Sequence, residues 1–225
     1  TNALSKNDYK NITRGIINFL KKINLEQANF FGASLGAALL LELAVTKPSL
    51  VKTMFLQSPP WEKDGVKKNL FEKIELSLIK LPNKVIQFIK KPDVFKWILG
   101  WVSFIRSDLK ELLKTREDSV LRVIDSLDPE SIRQLANSIL NPDFTKKLSK
   151  LKINPILISG VNDQVVTSAE MKKLAKTLRH DHCVFVSKQD HEITVDAPEK
   201  IAKIVWEWVM EKRLATDPDF TWISH

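Results

Sequence analysis

Apolar residues follow two different periods along the first part of this chain. From Asn7 to Leu25 they recur every three or four positions, which predicts an amphipathic helix. The short apolar runs at Ala28–Gly32 and Val51–Gln57 predict buried strands, because they are too short for buried helices. Between them, the alanine- and leucine-rich segment Leu35–Thr46 ends before a proline, as helices commonly do.

The pattern changes after the second predicted strand. From about residue 61 to residue 150 every apolar pattern is helical, and strands return only at Pro155–Ser159 and Cys183–Ser187. A helix follows each of these two strands, and Asp196 and Glu199 are placed as a capping pair for the last helix. We therefore predict an α/β fold with four strands in a mostly parallel sheet flanked by helices. Residues 1–60 and 151–225 would form its core, and residues 61–150 an inserted helical cap.

Composition and charge argue against several classes of protein and several kinds of binding site. The chain has 225 residues, a net charge of +8 and a single cysteine, Cys183, so it has no internal disulfide. One cysteine also argues against a cysteine metal site and is typical of a reducing compartment, which favours a cytoplasmic location. Because the lysines are spread along the chain among acidic residues, they indicate a solvated surface rather than a nucleic-acid interface. No apolar run approaches the ~18 residues that a membrane span requires.

One short motif carries candidate chemistry. Gly32-Ala33-Ser34-Leu35-Gly36 matches G-x-S-x-G, directly after a predicted strand and at the start of a predicted helix. A serine at such a sharp turn is either an exposed nucleophile or a small residue that packs helix against strand. In the first case, the glycines two positions away prevent collisions with the neighbouring backbone, and the backbone N–H of Leu35 stabilises an oxyanion.

An acid and a histidine follow the serine in the order that a nucleophilic serine needs. Asp163 lies in the loop after the third predicted strand, and His191 lies in the loop after the fourth. Both loops follow strands that would end at the same edge of a parallel sheet as Ser34. Asp190 and Asp196 are nearer to His191 in sequence, but Asp196 has a capping role that accounts for it.

These motifs together resemble the α/β-hydrolase superfamily, in its form with a helical cap. The resemblance rests on the segments F-G-A-S-L-G, G-x-x-D-x-x-V from Gly160, and H-x5-A-P-E from His191. It implies a lipase-like serine hydrolase that needs no metal or organic cofactor, with Ser34 as nucleophile, Asp163 as acid and His191 as base. Its substrate would be a small-molecule carboxylic ester or thioester with an apolar part. Since that family has more strands before the nucleophile, the chain is expected to lack N-terminal strands.

Two alternatives follow from departures within the sequence. Missing N-terminal strands would remove one oxyanion donor, and Asp190 could raise the pKa of His191, so a non-catalytic binding or scaffold protein is the second hypothesis. In the predicted cap, the segment Phe95–Ile105 is rich in tryptophan and phenylalanine. It would form the core of the cap, an apolar substrate pocket, or a lid that contacts a membrane surface. The sequence does not indicate an oligomeric state.

Overall fold

The computed structural model describes residues 9–62, 82–89, 91, 93–94, 97, 144–179 and 182–223. In chain order the elements are α1 (Tyr9–Lys22), β1 (Ala28–Ala33), α2 (Leu35–Thr46), a 3-10 turn (Pro48–Leu50), β2 (Val51–Gln57), α3 (Asn83–Ile89), α4 (Thr145–Leu148), β3 (Ile156–Gly160), α5 (Ser168–Leu178), β4 (Cys183–Val186), α6 (Ile193–Asp196), α7 (Pro198–Glu211) and β5 (Phe220–Ile223). Strands and helices therefore alternate on both sides of residues 61–150, as the apolar pattern predicts.

The strands form one sheet in the order β1-β2-β3-β4-β5. Strands β1 to β4 are parallel, and β5 is antiparallel to β4. The α/β class and the mostly parallel sheet are thus confirmed, but the predicted number of four strands is wrong for the described residues. No residue of the fifth strand, Phe220–Ile223, is fully buried. Its sequence also has Thr221 between apolar residues, so no continuous apolar run indicated this strand.

The sheet is covered on both faces because alternate residues of its strands point to opposite sides. On β2, Met54 and Leu56 belong to the core that also contains residues of α1, α2 and α5. The intervening Phe55 belongs to a second core, with residues of α6 and α7. Residues of β3 and β4 alternate between the same two cores. This double burial explains why these strands read as continuous apolar runs in the sequence.

Strand β1 lies at one edge of the described sheet and pairs only with β2 there. It is less buried than the sequence predicts: Asn29 and Phe31 are exposed, and only Gly32 is fully buried. The apolar run therefore indicates the strand correctly but overstates its burial, because a run of apolar residues does not distinguish an edge strand from a central one.

The predicted capping pair of the last helix is wrong. Asp196 is the final residue of the short helix α6, and the residue that caps α7 is Ala197, whose side chain makes no capping hydrogen bond. Helix α7 instead begins at Pro198, a residue well suited to the first helical turn because it has no N–H to satisfy.

Strand β5 is fastened to the start of the loop that carries His191. The backbone N–H of Ser187 donates to the carbonyl of Asp219 (2.8 Å), and the Ser187 hydroxyl donates to the Asp219 carboxylate (2.5 Å). Lys200 of α7 forms an ion pair with the same carboxylate. This network ties α7, β5 and the end of β4 together, so the His191 loop begins from a fixed point.

The chain divides into two compact units, one made of Thr1–Lys68 and Ser138–His225 and the other of Asn69–Asn137. Within the first unit, the N–H of Phe144 donates to the carbonyl of Trp61 (3.0 Å), and both side chains are buried in the same core. Lys147 of α4 pairs with Glu42, which is buried in α2 (2.5 Å). Trp61, Phe144 and α4 therefore contribute to the core of this unit, and the insertion of residues 61–150 stays a prediction.

The second unit is described only in part. It contains α3, whose Val85 and Phe88 are exposed. Most of the residues predicted to form helices in the cap lie outside the described residues, as does most of the aromatic segment Phe95–Ile105. None of the helices in the described ranges combines the length and apolar character that crossing a membrane requires.

Candidate active site

Ser34 occupies the single-residue turn between β1 and α2. Its backbone angles, φ 49° and ψ −114°, lie in a region that non-glycine residues rarely adopt. Two backbone hydrogen bonds hold it there: its N–H donates to the carbonyl of Gln57 (2.8 Å), and its carbonyl accepts from Ala38 (3.1 Å). The strained turn is therefore maintained by the adjacent strand and by the first turn of α2.

The two glycines of the motif have different reasons to be there. A Cβ atom on Gly32 would lie 2.6 Å from the carbonyl carbon of Gly36 and 2.7 Å from the nitrogen of Ala37, which no side chain tolerates. A Cβ atom on Gly36 would meet nothing within 4 Å. The expectation that both glycines prevent backbone collisions is thus correct for Gly32 and wrong for Gly36.

Asp163 is buried in the loop that follows β3, and both of its carboxylate oxygens have hydrogen-bond partners. One oxygen accepts the backbone N–H groups of Val165 (2.8 Å) and Val166 (2.9 Å), and the other lies 3.0 Å from Nδ1 of His191. Burial, the largest single effect, raises the pKa of Asp163, but the hydrogen bond and charge of His191, together with the Ser58 hydroxyl and the hydrogen bond from Val166, outweigh it and hold the pKa below its usual value. Asp163 therefore stays ionised at neutral pH.

His191 connects Asp163 with Ser34. Its Nδ1 faces the Asp163 carboxylate, and its Nε2 lies 3.0 Å from the Ser34 hydroxyl oxygen. Because an ionised carboxylate only accepts hydrogen bonds, Nδ1 must carry the proton, and neutral His191 presents the lone pair of Nε2 to the Ser34 hydroxyl. The structure thus brings together the three side chains that the sequence singled out.

The charge environment of His191 is dominated by Asp163 rather than by Asp190. Burial, the largest single effect, lowers the pKa of His191, but the hydrogen bond and charge of Asp163 and the charges of Glu192 and Asp190 together outweigh burial, so the pKa lies above its usual value. Glu192 and Asp190 add smaller contributions in the same direction. One carboxylate oxygen of Asp190 accepts the backbone N–H of Glu192 (3.0 Å) in an exposed turn.

Gly160 allows the loops of Asp163 and His191 to pack backbone against backbone. A Cβ atom there would lie 2.2 Å from the carbonyl oxygen of Asp190 and 2.4 Å from that of Gln189. The N–H of Asn162 donates to the Gln189 carbonyl (2.9 Å) across this contact. The glycine before the acid is therefore needed for the close approach of the two loops, a reason that only the folded chain reveals.

Two polar residues at the end of β2 were missed in the sequence. Gln57 is buried, and its side-chain Nε2 donates to the backbone carbonyl of His191 (2.9 Å). Ser58 is fully buried with a positive φ of 44°. Its hydroxyl helps to lower the pKa of Asp163, although it makes no hydrogen bond of regular length and angle with the described residues. Their signal in the sequence was a polar Gln-Ser pair directly after the apolar residues Met54, Phe55 and Leu56 of β2.

Leu35, the expected oxyanion donor, is the first residue of α2 and is half-buried. Its N–H belongs to the first turn of the helix, where backbone donors have no partner within the helix. The positive end of the helix dipole lies at the same place and favours a negative charge beside Ser34. This location fits the expected role, which remains a prediction.

Comparisons with known proteins identify the class of fold. The chain resembles the crystal structure of MGS-M2, an alpha/beta hydrolase enzyme from a Medee basin deep-sea metagenome library, with a TM-score of 0.67 and 18% identity over 95% of this chain and 76% of that one. It also resembles a thermophilic esterase from Thermogutta terrifontis, with a TM-score of 0.64 and 15% identity over 91% of this chain and 72% of the esterase. The chain therefore has the α/β-hydrolase fold, as its motifs predicted.

The chain also has a relative that is recognised by its sequence. It is 20% identical over 200 residues to the putative carbamate hydrolase RutD of Serratia proteamaculans (strain 568), which covers 89% of this chain and 72% of RutD. No protein-family model matches the chain. The comparisons thus agree on the fold, while the chemistry of this chain depends on the residues of its site.

Proposed function

We propose that this chain is a serine hydrolase that cleaves a carboxylic ester or thioester. The observation that carries the proposal is the continuous hydrogen-bonded chain from Ser34 through His191 to Asp163. A strained turn presents the serine, a neutral imidazole faces its hydroxyl, and a buried carboxylate fixes the imidazole. Each of these features is needed for a serine nucleophile, and a structural serine needs none of them.

The proposed reaction has two stages. Ser34 attacks the carbonyl carbon of the substrate while His191 takes the hydroxyl proton at Nε2, and the N–H of Leu35 stabilises the oxyanion. Collapse of the tetrahedral intermediate breaks the bond to the alcohol or thiol, which leaves with the proton from His191. Water then attacks the acyl-enzyme with His191 again as base, releasing the acid and restoring Ser34. Asp163 stabilises protonated His191 in both stages.

The described relatives support a hydrolytic reaction at a carbonyl. Their names include an esterase, a general α/β hydrolase and a putative carbamate hydrolase, each said of that protein alone. We propose a small-molecule substrate with an apolar acyl or alcohol part, since residues of the insertion are rich in large apolar side chains. A cytoplasmic location remains a prediction from the single cysteine.

Labelling with a fluorophosphonate probe tests the proposal, because the probe reacts with an activated serine whatever the natural substrate is. We expect the wild-type chain and a Ser149→Ala control to be labelled and the Ser34→Ala variant to remain unlabelled. Ser149 is an exposed serine outside the site. Hydrolysis of nitrophenyl esters of increasing chain length would then measure the apolar preference. A folded wild-type chain without Ser34-dependent labelling would contradict the proposal and favour a non-catalytic scaffold.

The rate of labelling should depend on pH through His191. Because only neutral His191 can accept the serine proton, and because the pKa of His191 is raised, the rate should fall as pH drops through a midpoint above about 6.5. An Asp190→Asn variant should lower this midpoint, since the charge of Asp190 raises the pKa of His191. Rate measurements from pH 5 to 9 would check both; a wild-type midpoint below the ordinary histidine value would contradict the assigned environment.

A further inference from the structure

Gln57 forms hydrogen bonds with the backbones of both Ser34, the candidate nucleophile, and His191, the candidate base. It is the last residue of β2, which lies between the strands that lead to Ser34 and to Asp163. Its backbone carbonyl accepts the N–H of Ser34 (2.8 Å), and its side-chain amide donates to the carbonyl of His191 (2.9 Å). One residue therefore holds the main chains of Ser34 and His191 at the same time.

Packing alone does not explain a glutamine here. Gln57 is only 1% exposed, and its Oε1 is buried without a hydrogen-bond partner among the described residues. A buried polar atom without a partner lowers stability, whereas the apolar Phe55 and Leu56 just before it fill the two cores without such a penalty. An apolar side chain of similar length would remove this unpaired oxygen but would leave the His191 carbonyl without its donor, so stability alone does not favour glutamine.

We infer that Gln57 is a positioning residue that sets the separation between Ser34 and His191. The inference rests on the proposed function. The backbone of Ser34 is fixed by the strand, while His191 follows a loop in which Lys188 adopts a positive φ of 59° and Asp190 is exposed. The amide of Gln57 fastens the carbonyl of His191 to that same strand. Proton transfer from Ser34 to Nε2 depends on their 3.0 Å separation, so loosening this attachment reduces the fraction of chains in reactive geometry.

A Gln57→Met variant separates positioning from stability. Methionine has a similar length and flexibility but cannot donate to the His191 carbonyl. Rates of fluorophosphonate labelling, corrected for the folded fraction, are compared at the alkaline plateau of each pH profile, so that a change in the pKa of His191 does not contribute. We expect the plateau rate to fall about tenfold, the scale of a lost hydrogen bond that controls reactive geometry, with little change in the melting temperature, because the lost hydrogen bond and the removed unpaired oxygen offset each other. Gln27→Met, at an exposed glutamine, is the matched control and should label as the wild type does.

A second variant keeps the inference testable if Gln57→Met does not fold. Gln57→Asn retains the amide but is one methylene too short for the same bond, so its plateau rate should fall by a similar factor. An unchanged plateau rate in the folded variant, or a decrease explained by the folded fraction alone, would overturn the positioning role. Absence of Ser34-dependent labelling in the wild type would instead refute the proposed function, and with it the inference.

Discussion

Asp163→Asn is expected to lower the rate of Ser34 labelling by about 10⁴-fold, the scale found when the acid of a Ser-His-Asp system becomes an amide. The Asn oxygen would keep the two hydrogen bonds from Val165 and Val166, and its NH₂ group would then face Nδ1 of His191. Nδ1 would have to accept that bond, which moves the imidazole proton to Nε2. His191 would then present a proton, instead of a lone pair, to the Ser34 hydroxyl.

The matched control is Asp190→Asn, which removes a carboxylate from the residue next to His191. Its plateau rate should stay close to that of the wild type, because Asp190 faces the backbone of Glu192. Labelling kinetics and unfolding curves of both variants would check this pair. If Asp190→Asn caused the larger loss, the assignment of Asp163 as the acid would be wrong.

Gly32→Ala and Gly36→Ala should have opposite effects on stability, although both glycines belong to the same motif. The new methyl group at position 32 would collide with the backbone of Gly36 and Ala37, so we expect a loss of about 3 kcal/mol or more in the free energy of unfolding. Gly36 lies in α2, where an added methyl group meets open space and alanine favours the helix by up to about 1 kcal/mol.

Urea unfolding of the two variants and the wild type, with m-values compared, would measure these changes. Gly32→Ala should also slow labelling, since the collision lies directly beneath the turn that presents Ser34. Equal destabilisation by the two substitutions would show that the turn is constrained in a way that the contacts of Gly36 do not reveal.

The sequence predicted the features of the fold that depend on local patterns. Alternating elements, the strand before Ser34 and the helix after it all follow from runs and periods of apolar residues. The three site residues could be selected because parallel strands end at one edge of a sheet, which brings the loops after them together. At Ser34, Asp163 and His191, the local apolar pattern that predicts each strand also predicts which loops meet at the edge of the sheet.

The features that the sequence did not predict depend on contacts between distant segments. The amide of Gln57 acquires its meaning only from the carbonyl of His191, which is 134 residues away. A glycine is needed at position 160 because the backbones of Gln189 and Asp190 lie too close for a side chain. Residues 220–223 form a strand because they pair with β4. Asp196 shows the opposite error, since the local spacing predicted it as the cap of the last helix, whereas it ends the short helix α6 and Ala197 occupies the cap position of α7.

The hydrogen bond between Trp61 and Phe144 has a consequence for how the length and sequence of the segment between them can vary. The segment between Trp61 and Phe144 begins and ends at neighbouring positions, because the two flanking residues are hydrogen-bonded to each other and both side chains are buried. Lengthening, shortening or replacing this segment need not alter the strands that position Ser34, Asp163 and His191. The arrangement of Ser34, His191 and Asp163 and the segment after Trp61 can therefore vary independently, which allows one site geometry to be combined with different inserted segments.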